Sequence, residues 1–349
     1  MTEKIPEIMI FGAGSMGTVL GAYLGKAGIA ADLVSRDREH IEVLKKEGAK
    51  IGGTVSFSSL PFNGSNGHGL AMLPDDIQKK YDVIFLLTKQ LDNKTTAAML
   101  KNYLSPDGAV CTLQNGIPEP LLAEILGPEK VLGCMCVWGA IKTGSGRADL
   151  TTMPEGMSFG LGSLSDKQHP MLLKVRDILE KICPVTVKPN FTGVRWSKLL
   201  INAAFSGMSA VTGYNFGQVA ADKRSRNCAL QVIKECIDVC NAARVRIEPV
   251  QGKDIVRLMD FNNPLQRIRA SIILCIAIRK HRAITSSMLR DLDRGKQCEI
   301  EDINGVVCAW GRKHSVPTPC NDRIVEIVHS IERGERKYSP QNLDLFRNK

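Results

Sequence analysis

Two hydrophobic patterns meet in the chain near residue 190. Before that point, apolar runs predict strands at residues 8–11, 30–36, 81–89 and 108–116. Their nearly unbroken apolar character is typical of parallel strands that are buried on both faces. After it, apolar residues recur at i, i+3 and i+4, as in residues 222–243, which predicts helices with a core-facing stripe. The pattern therefore predicts an α/β half followed by a helical half.

Shorter apolar segments continue the first pattern as far as residue 189. They predict strands within 131–143, 148–153, 157–163 and 185–189 and a helix at 170–182, and we expect these elements to complete the same sheet. Residues 60–76 are rich in glycine and asparagine, which predicts an exposed excursion with a solvated His68. The apolar run 272–278 is far shorter than the roughly 20 residues of a membrane span. We expect it to be a buried segment.

Three glycines follow the first predicted strand at the spacing of a dinucleotide-binding loop. Gly12, Gly14 and Gly17 stand in the order GxGxxG, with Ser15 and Met16 between the last two, and a helical pattern follows. Gly12 permits a tight turn, Gly14 lets the backbone approach a pyrophosphate, and Gly17 lets the helix pack close to the strand. The helix N-terminus then offers free N–H groups to the phosphates.

The glycine loop makes the first half a Rossmann-type dinucleotide-binding domain in our prediction. We place this domain at residues 1–189, an all-helical domain at 190–335 and a C-terminal tail at 336–349. The length of 349 residues and the 44% apolar composition suit two folded domains, each with its own core.

The second strand indicates which dinucleotide is bound. An acidic residue at its end would bind the ribose 2′-OH of NAD, whereas this strand ends in Ser35 and Arg36. A hydroxyl and a guanidinium suit a 2′-phosphate, so we predict NADP(H); an arginine that is merely exposed in a loop is the alternative. Lys89 and Asn115 stand at the carboxyl ends of the next two strands, where ligands of parallel sheets lie, and we assign both to the cofactor.

Charge and cysteine content limit the classes of partner. The net charge is +10, but lysine and arginine are spread along the chain and only 5% of residues are aromatic, so we predict no nucleic-acid partner and no membrane partner. Eleven cysteines without a CxxC pair indicate reduced core residues and no metal. The N-terminal residues lack the pattern of a signal peptide, so we expect a cytoplasmic protein. The oligomeric state stays open, with a homodimer as one alternative.

Residues 196–207 form an apolar helical segment that a polar row interrupts. Lys198, Asn202 and Ser206 are four residues apart, which places them on one helix face within about 80° of each other. Apolar residues surround the rest of the helix, so the lysine is desolvated and its pKa can move toward a catalytic range. A lysine whose stem merely covers apolar surface at the helix start is the alternative.

A second polar set lies between residues 284 and 319. Ser287 and Asp291 are one helical turn apart, and Glu299 opens a helix beside apolar neighbours. An acidic group that faces a cleft between the domains would be the natural partner of Lys198. Stabilisation of the helix N-terminus by the charge of Glu299 is the alternative.

With these segments in view, the chain resembles the ketopantoate reductase family from Ile8 to about Glu332. The motifs that carry the resemblance are GAGSMG at 12–17, TKQ at 88–90, QNGI at 114–117, WSKLLINAAFSGMSAVTG at 196–213 and SSMLRDLDRGKQCEIEDINGVV at 286–307. The resemblance implies a Rossmann-type domain, an all-helical domain and a site in the cleft between them.

The resemblance also implies roles for single residues. Lys198 matches the lysine that donates a proton to the developing alkoxide, and Glu299 matches the glutamate that holds and orients the substrate. Asn202 and Ser287 match substrate-binding positions. Positions on the cofactor side are matched by Lys89, Asn115 and Arg36.

One departure from the family pattern bears on the substrate. Where the family commonly has a second asparagine one turn after the first, this chain has Ser206, which we assign to substrate binding. A later asparagine of the pattern falls near Phe216, with Asn215 beside it. Other members of the family reduce bulkier branched or aromatic 2-oxo acids, so these changes leave the substrate open.

We predict an NADP-dependent oxidoreductase that reduces a 2-oxo acid to a 2-hydroxy acid. The expected reaction is that of pantothenate biosynthesis, ketopantoate to pantoate, with hydride from NADPH and a proton from Lys198. A D-2-hydroxyacid dehydrogenase of the same family that acts on another branched or aromatic 2-oxo acid is the first alternative. A non-catalytic NADP-binding sensor is a more distant one.

Overall fold

A computed structural model of the chain describes residues 6–65, 68–164, 169–250 and 252–346. The chain divides into two units at residues 191/192, and the second unit also takes in a short piece of chain from before this break. The first is Met1–Gln114 with Pro118–Phe191, and the second is Asn115–Ile117 with Thr192–Lys349.

Among the described residues of the first unit, twelve strands and five α-helices are formed. The strands are β1 (Ile8–Phe11), β2 (Asp32–Val34), β3 (Lys50–Gly53), β4 (Phe57–Ser58), β5 (Ala71–Met72), β6 (Tyr81–Leu86), β7 (Leu104–Thr112), β8 (Val131–Cys136), β9 (Ala140–Gly144), β10 (Arg147–Leu150), β11 (Phe159–Gly162) and β12 (Val185–Val187). The helices are α1 (Ser15–Lys26), α2 (Arg38–Glu47), α3 (Asn93–Leu100), α4 (Glu119–Leu126) and α5 (Leu172–Leu179).

Eight of the strands form one sheet in the order β12-β11-β8-β7-β6-β1-β2-β5. All neighbouring strands are parallel except β11, which is antiparallel to β8. β1 lies between β6 and β2. After β1 the chain adds β2 and β5 on one side of it, and β6 and the later strands of this sheet on the other side. Ligands of such sheets lie in the crevice that this reversal opens beyond the carboxyl ends of the strands. The α/β fold with a parallel sheet is confirmed.

A second sheet corrects one expectation. β9 and β10 do not complete the main sheet, but belong to a four-stranded sheet with the order β4-β3-β10-β9. β10 pairs parallel with β3, where Ala148 is the partner of Ile51, and antiparallel with β9. No residue of β9 is fully buried, unlike the strands of the main sheet that are covered on both faces. The expectation was wrong because it rested on order along the chain.

The glycine-rich segment 60–76 is also more than an exposed excursion. β5 lies within it and pairs with β2 at the edge of the main sheet, and Phe62 is buried. His68 is half-buried rather than solvated, and its Nδ1 atom is buried without a hydrogen-bond partner. Residues 66–67 lie outside the described residues. The edge strand was missed because only two of its residues pair.

In the part of the second unit that the structure describes there are eight α-helices, which confirms the helical second half. They are α6 (Phe191–Thr212), α7 (Phe216–Ala221), α8 (Lys223–Ala242), α9 (Ile255–Met259), α10 (Pro264–Ala277), α11 (Ser287–Asp293), α12 (Val306–Lys313) and α13 (Pro319–Glu332). A π-helical turn, Glu301–Gly305, leads into α12. The core is formed around α6, α8 and α13, with Trp196, Ile237 and Ile324 fully or almost fully buried.

The last described residues pack on this helical unit. The side-chain amide of Asn342 donates to the carbonyl oxygen of Val211 at 2.9 Å, and the backbone N–H of Ser339 donates to the same oxygen at 3.0 Å. Leu343 is buried in the same core. The C-terminal segment is thus part of the folded unit as far as residue 346.

One helix contradicts the expectation of burial. α10 contains all but the last residue of the apolar run that we expected to be buried, but Ile272 and Ile276 are 56% and 53% exposed. They continue a stripe with Leu265 and Ile268, which are 79% and 58% exposed. Consecutive residues of a helix point in all directions around its axis, so only part of an unbroken apolar run can face the core. In the described part of the chain, no helix has the length and apolar character needed to cross a membrane.

Candidate active site

Two of the three loop glycines have no room for a side chain. Gly12 has a φ of 106°, in the region that favours glycine, and a Cβ there would lie 2.5 Å from the backbone nitrogen of Thr88. A Cβ at Gly17 would lie 2.3 Å from the carbonyl oxygen of Gly12. At Gly14 the Cβ position has no atom within 4 Å. The loop is therefore in close contact with the protein at Gly12 and Gly17 and open at Gly14. This arrangement suits a pyrophosphate beside the first turn of α1.

A cavity of about 780 Å³ lies at the carboxyl ends of β1, β2 and β6. The structure brings most of the predicted cofactor residues to its wall: Gly12, Gly14, Ser15, Met16, Ser35, Arg36 and Lys89. Two predicted residues are elsewhere. Gly17 is buried in α1, and the contacts of Asn115 place it in the second unit.

Two carboxylates at this cavity escaped the sequence reasoning. Asp92 lies with an oxygen 3.4 Å from a guanidinium nitrogen of Arg36, and both side chains are exposed. Such an exposed pair contributes little to stability, so Arg36 is able to turn toward a phosphate. The pair could not be foreseen because Asp92 follows β6 and Arg36 follows β2.

The second carboxylate, Asp37, is occupied within the protein. One of its oxygens accepts from the backbone N–H of His40 at 3.1 Å and caps α2. The other oxygen accepts from Lys142 at 2.6 Å, and this hydrogen bond, together with the cap, holds the pKa of Asp37 below its usual value. An acid that already serves as a cap and an ion pair is poorly placed to bind a ribose 2′-OH as well.

The polar row on α6 lies on a partly exposed face of a helix that is largely buried. Lys198, Asn202 and Ser206 are each half-buried, whereas Leu199 and Leu200 are 1% exposed. The structure therefore places the three predicted side chains along one face, in apolar surroundings that raise the cost of an uncompensated charge.

A buried amide network holds α6 beside this row. Asn304 donates through its side-chain amide to the carbonyl oxygen of Ala203 at 3.1 Å and to Asn321 Oδ1 at 2.9 Å. Asn321 in turn donates to a carboxylate oxygen of Glu235 at 2.7 Å. A Cβ at Gly207 would lie 2.7 Å from Asn304 Oδ1, so the glycine allows this close approach. Sequence reasoning missed the network, whose only visible sign is an asparagine within an apolar helical segment.

Glu299 stands directly before the helical turn that begins at Ile300, and it is half-buried. The π-helical turn follows, and it carries Asn304. Insertions of this kind are frequent at functional sites. Through Asn304, the segment that carries Glu299 is fixed to α6, the helix that carries the polar row. Burial and the neighbouring Glu301 raise the pKa of Asp302 in this turn to about 6.

The remaining predicted residues lie at helix starts. Ser287 is exposed at the first position of α11, while the buried Ser286 caps that helix by accepting from the backbone N–H of Leu289 at 3.0 Å. Asn215 caps α7, and its side-chain oxygen accepts from the backbone N–H of Gln218 at 2.8 Å. The amide of Asn215 is therefore engaged in local structure.

The parallel sheet, the glycine loop and the cavity at the strand ends are the features of a dinucleotide-binding α/β protein. The chain belongs to the ketopantoate reductase family. The family model for "Ketopantoate reductase PanE/ApbA" matches residues 8–163, and the model for the C-terminal part of the same family matches residues 190–332. The predicted family is thereby confirmed.

Similar proteins cover nearly the whole chain. The 2-dehydropantoate 2-reductase of Archaeoglobus fulgidus is 25% identical over 334 residues, which are 95% of this chain and 99% of the relative. That of Mesorhizobium japonicum is 26% identical and covers 94% of this chain and 99% of its own length. Relatives of this kind support an oxidoreductase.

Solved structures share the fold at lower identity. A D-mandelate dehydrogenase with NADH and anilino(oxo)acetate has a TM-score of 0.79 at 20% identity and covers 94% of this chain and 99% of its own. A PanE/ApbA family ketopantoate reductase from Ralstonia eutropha has a TM-score of 0.78 at 21% identity, with coverages of 94% and 99%.

Proposed function

We propose that this protein is an NADPH-dependent reductase that converts ketopantoate to pantoate in the cytoplasm. The observation that carries the proposal is the row on α6, where Lys198, Asn202 and Ser206 are partly exposed along one face of a helix segment that is buried elsewhere except at Ile201. The relatives named 2-dehydropantoate 2-reductase support the substrate.

In this proposal, Lys198 donates a proton to the C2 oxygen of the substrate while the carbonyl is reduced. When bound, the reduced nicotinamide supplies the hydride. A positioned general acid contributes about 10² to 10⁴ in rate. Asn202, Ser206 and Ser287 hold the carboxylate and hydroxyl groups of the substrate, and Glu299 orients it relative to Lys198.

The cavity of the first unit supports the choice of NADPH. The open backbone at Gly14 and the N-terminal turn of α1, with Ser15 and Met16, would hold the pyrophosphate. Ser35 and Arg36 would bind the 2′-phosphate, since Asp37 is occupied as a helix cap. We assign Lys89 and Asn115 to the nicotinamide end of the cofactor.

A second candidate function keeps the chemistry and changes the substrate. Ser206, in place of an amide, favours a D-2-hydroxyacid dehydrogenase that acts on another branched or aromatic 2-oxo acid. Serine is shorter than asparagine, so it leaves room for a larger substrate side chain.

Steady-state reduction of a panel of 2-oxo acids with NADPH tests both candidates. We expect ketopantoate to give the highest kcat/KM. A higher value for a branched or aromatic acid would establish the second candidate in its place. Failure with every 2-oxo acid would overturn the proposed function class.

We also propose that the protein is a homodimer in which α10 pairs antiparallel with the same helix of a second copy. The exposed stripe from Leu265 to Ile276 supports this, because apolar side chains of this size are usually covered. Light scattering of Ile272→Asp tests the contact: we expect a dimer for the wild type and a monomer for the variant, and equal masses would contradict it.

A further inference from the structure

Two cysteines line a second cavity, which lies within the helical unit and has a volume of about 1000 Å³. Cys228 belongs to α8 and Cys320 to the first turn of α13. Two arginines, Arg267 and Arg323, line the same cavity. The proposed reduction of a 2-oxo acid makes no use of this site.

The two cysteines are in contact and differ in burial. The Cys320 thiol donates to the backbone carbonyl oxygen of Cys228 at 3.5 Å, and both residues line the same cavity. Cys228 is half-buried, while Cys320 is only 8% exposed. The backbone N–H of Cys320 donates to a carboxylate oxygen of Glu235 at 2.9 Å, which fixes the inner thiol. Cys228 is therefore the more accessible of the two cysteines, and Cys320 is the buried one.

The electrostatic surroundings favour charge on the outer thiol. The hydrogen bond from Cys320 lowers the pKa of Cys228; burial and Asp222 oppose this, and Arg267 and Arg224 add to it. The same contact, with burial, raises the pKa of Cys320 well above its usual value. At buried positions of α8 such as Cys236, burial raises the thiol pKa. Cys228 is distinguished from these residues by its partner thiol and by arginine.

We propose that Cys228 and Cys320 form a redox-active dithiol that reacts with small anionic disulfides. The Cys228 thiolate attacks one sulfur of the disulfide, forms a mixed disulfide and releases the other half as a thiolate, which takes up a proton. Cys320 then loses its proton to solvent and attacks Cys228 Sγ, which forms the Cys228–Cys320 disulfide and releases the second small thiol. The dithiol is oxidised by two electrons, and the small disulfide is reduced to two thiols. Arg267 and Arg323 attract the carboxylates of the disulfide.

The order of oxidation tests the proposal on the full chain. The protein is incubated with oxidised glutathione, free thiols are alkylated, and disulfides are mapped by mass spectrometry of unreduced peptides. We expect the Cys228–Cys320 bond before any other modification. Oxidation of any other cysteine first would overturn the proposal, and this mapping needs no variant.

Two variants separate the attacking from the resolving thiol. Cys320→Ser is expected to stop at glutathione bound to Cys228. Cys275→Ser is the matched control, because Cys275 is also half-buried but its Sγ contacts a backbone carbonyl, that of Ala220 at 3.6 Å, and it should behave as the wild type. A Cys320→Ser protein that carries glutathione on Cys275 as fast as on Cys228 would contradict the assignment.

In this proposal, Arg267 and Arg323 make the dithiol react faster with anionic disulfides than with neutral ones. Arg267→Gln is expected to slow the reaction with oxidised glutathione about tenfold. The same variant should react with neutral hydroxyethyl disulfide at the wild-type rate. Equal rates of wild type and variant with oxidised glutathione, or equal slowing with both reagents, would overturn the preference for anionic disulfides.

Discussion

The dinucleotide loop and the polar row on α6 are built in opposite ways. In the loop, the groups that would bind a ligand are backbone N–H groups. The loop requires glycine because a side chain at Gly12 or Gly17 would collide with the backbone. In the row, the functional groups are side chains, and their helix is held by Asn304 and Asn321 from distant segments. A change in the loop therefore acts locally. A substitution in the row can remove a catalytic group without destabilising the fold. A substitution in the amide network of Asn304 and Asn321 can destabilise the fold without removing a catalytic group.

The largest effect is expected where chemistry alone is removed. Lys198→Ala should lower kcat with ketopantoate by about 10² to 10⁴, because a positioned acid is lost. The melting temperature and the Kd for NADPH should stay unchanged. Lys223→Ala, at the exposed start of α8, is the matched control and should retain normal turnover. Near-normal turnover of Lys198→Ala would remove the lysine from the mechanism.

Removal of the amide that holds α6 should act through stability. Asn304→Ala leaves buried polar groups of Ala203 and Asn321 without their donor, which costs about 2 to 3 kcal/mol in free energy of unfolding. Urea titration monitors this change. The exposed Asn241→Ala on α8 should shift the same value by less than about 0.5 kcal/mol. Equal shifts in the two variants would show that the network does not hold the helix.

The first unit should lose stability in acid because of His40. This fully buried ring accepts from the backbone N–H of Gly146 at 2.9 Å and lies 3.1 Å from Thr18 Oγ1. Burial, with Lys142 adding to it, lowers the pKa of His40 from 6.5 to about 4.

Below pH 6.5 the unfolded chain takes up this proton first, so the free energy of unfolding should fall by about 2 kcal/mol between pH 6.5 and 4. Urea titrations across this pH range measure the slope. His40→Gln should flatten it, and an unchanged slope in that variant would assign the acid sensitivity to other groups.

The smallest effect is expected at the edge of the dinucleotide cavity. Arg36→Ala should lower kcat/KM for NADPH about tenfold, since one charged hydrogen bond to the 2′-phosphate is lost, and leave the value for NADH unchanged. Arg38→Ala is the matched control, because Arg38 is exposed at the start of α2 and does not line the cavity. A wild-type preference for NADH would contradict the assignment of Ser35 and Arg36.

What the sequence predicted well is what local chemistry determines. The strand Ile8–Phe11 is apolar throughout, Tyr81–Leu86 is apolar except for Asp82, and the glycine loop needs its residues at fixed spacing, so short segments were sufficient. The row on α6 follows from helical period alone.

The errors all concern contacts between distant segments. β10 pairs with β3 across a long stretch of chain, and no local pattern reveals this partner. The exposure of Ile272 depends on which elements cover α10. The support of α6 by Asn304 likewise depends on tertiary packing, since an asparagine before a glycine is equally typical of a turn. The roles of Lys198 and Glu299 stay predictions.

The central claim is that Lys198 supplies the proton, and chemical rescue of Lys198→Ala tests it most directly. The measurement is single-turnover oxidation of NADPH by the variant with ketopantoate, with added methylammonium or tetramethylammonium. We expect the rate to rise with methylammonium, which can donate a proton, and to be indifferent to tetramethylammonium, which carries the same charge without one. A wild-type rate in the absence of amine, or equal stimulation by both cations, would contradict the account.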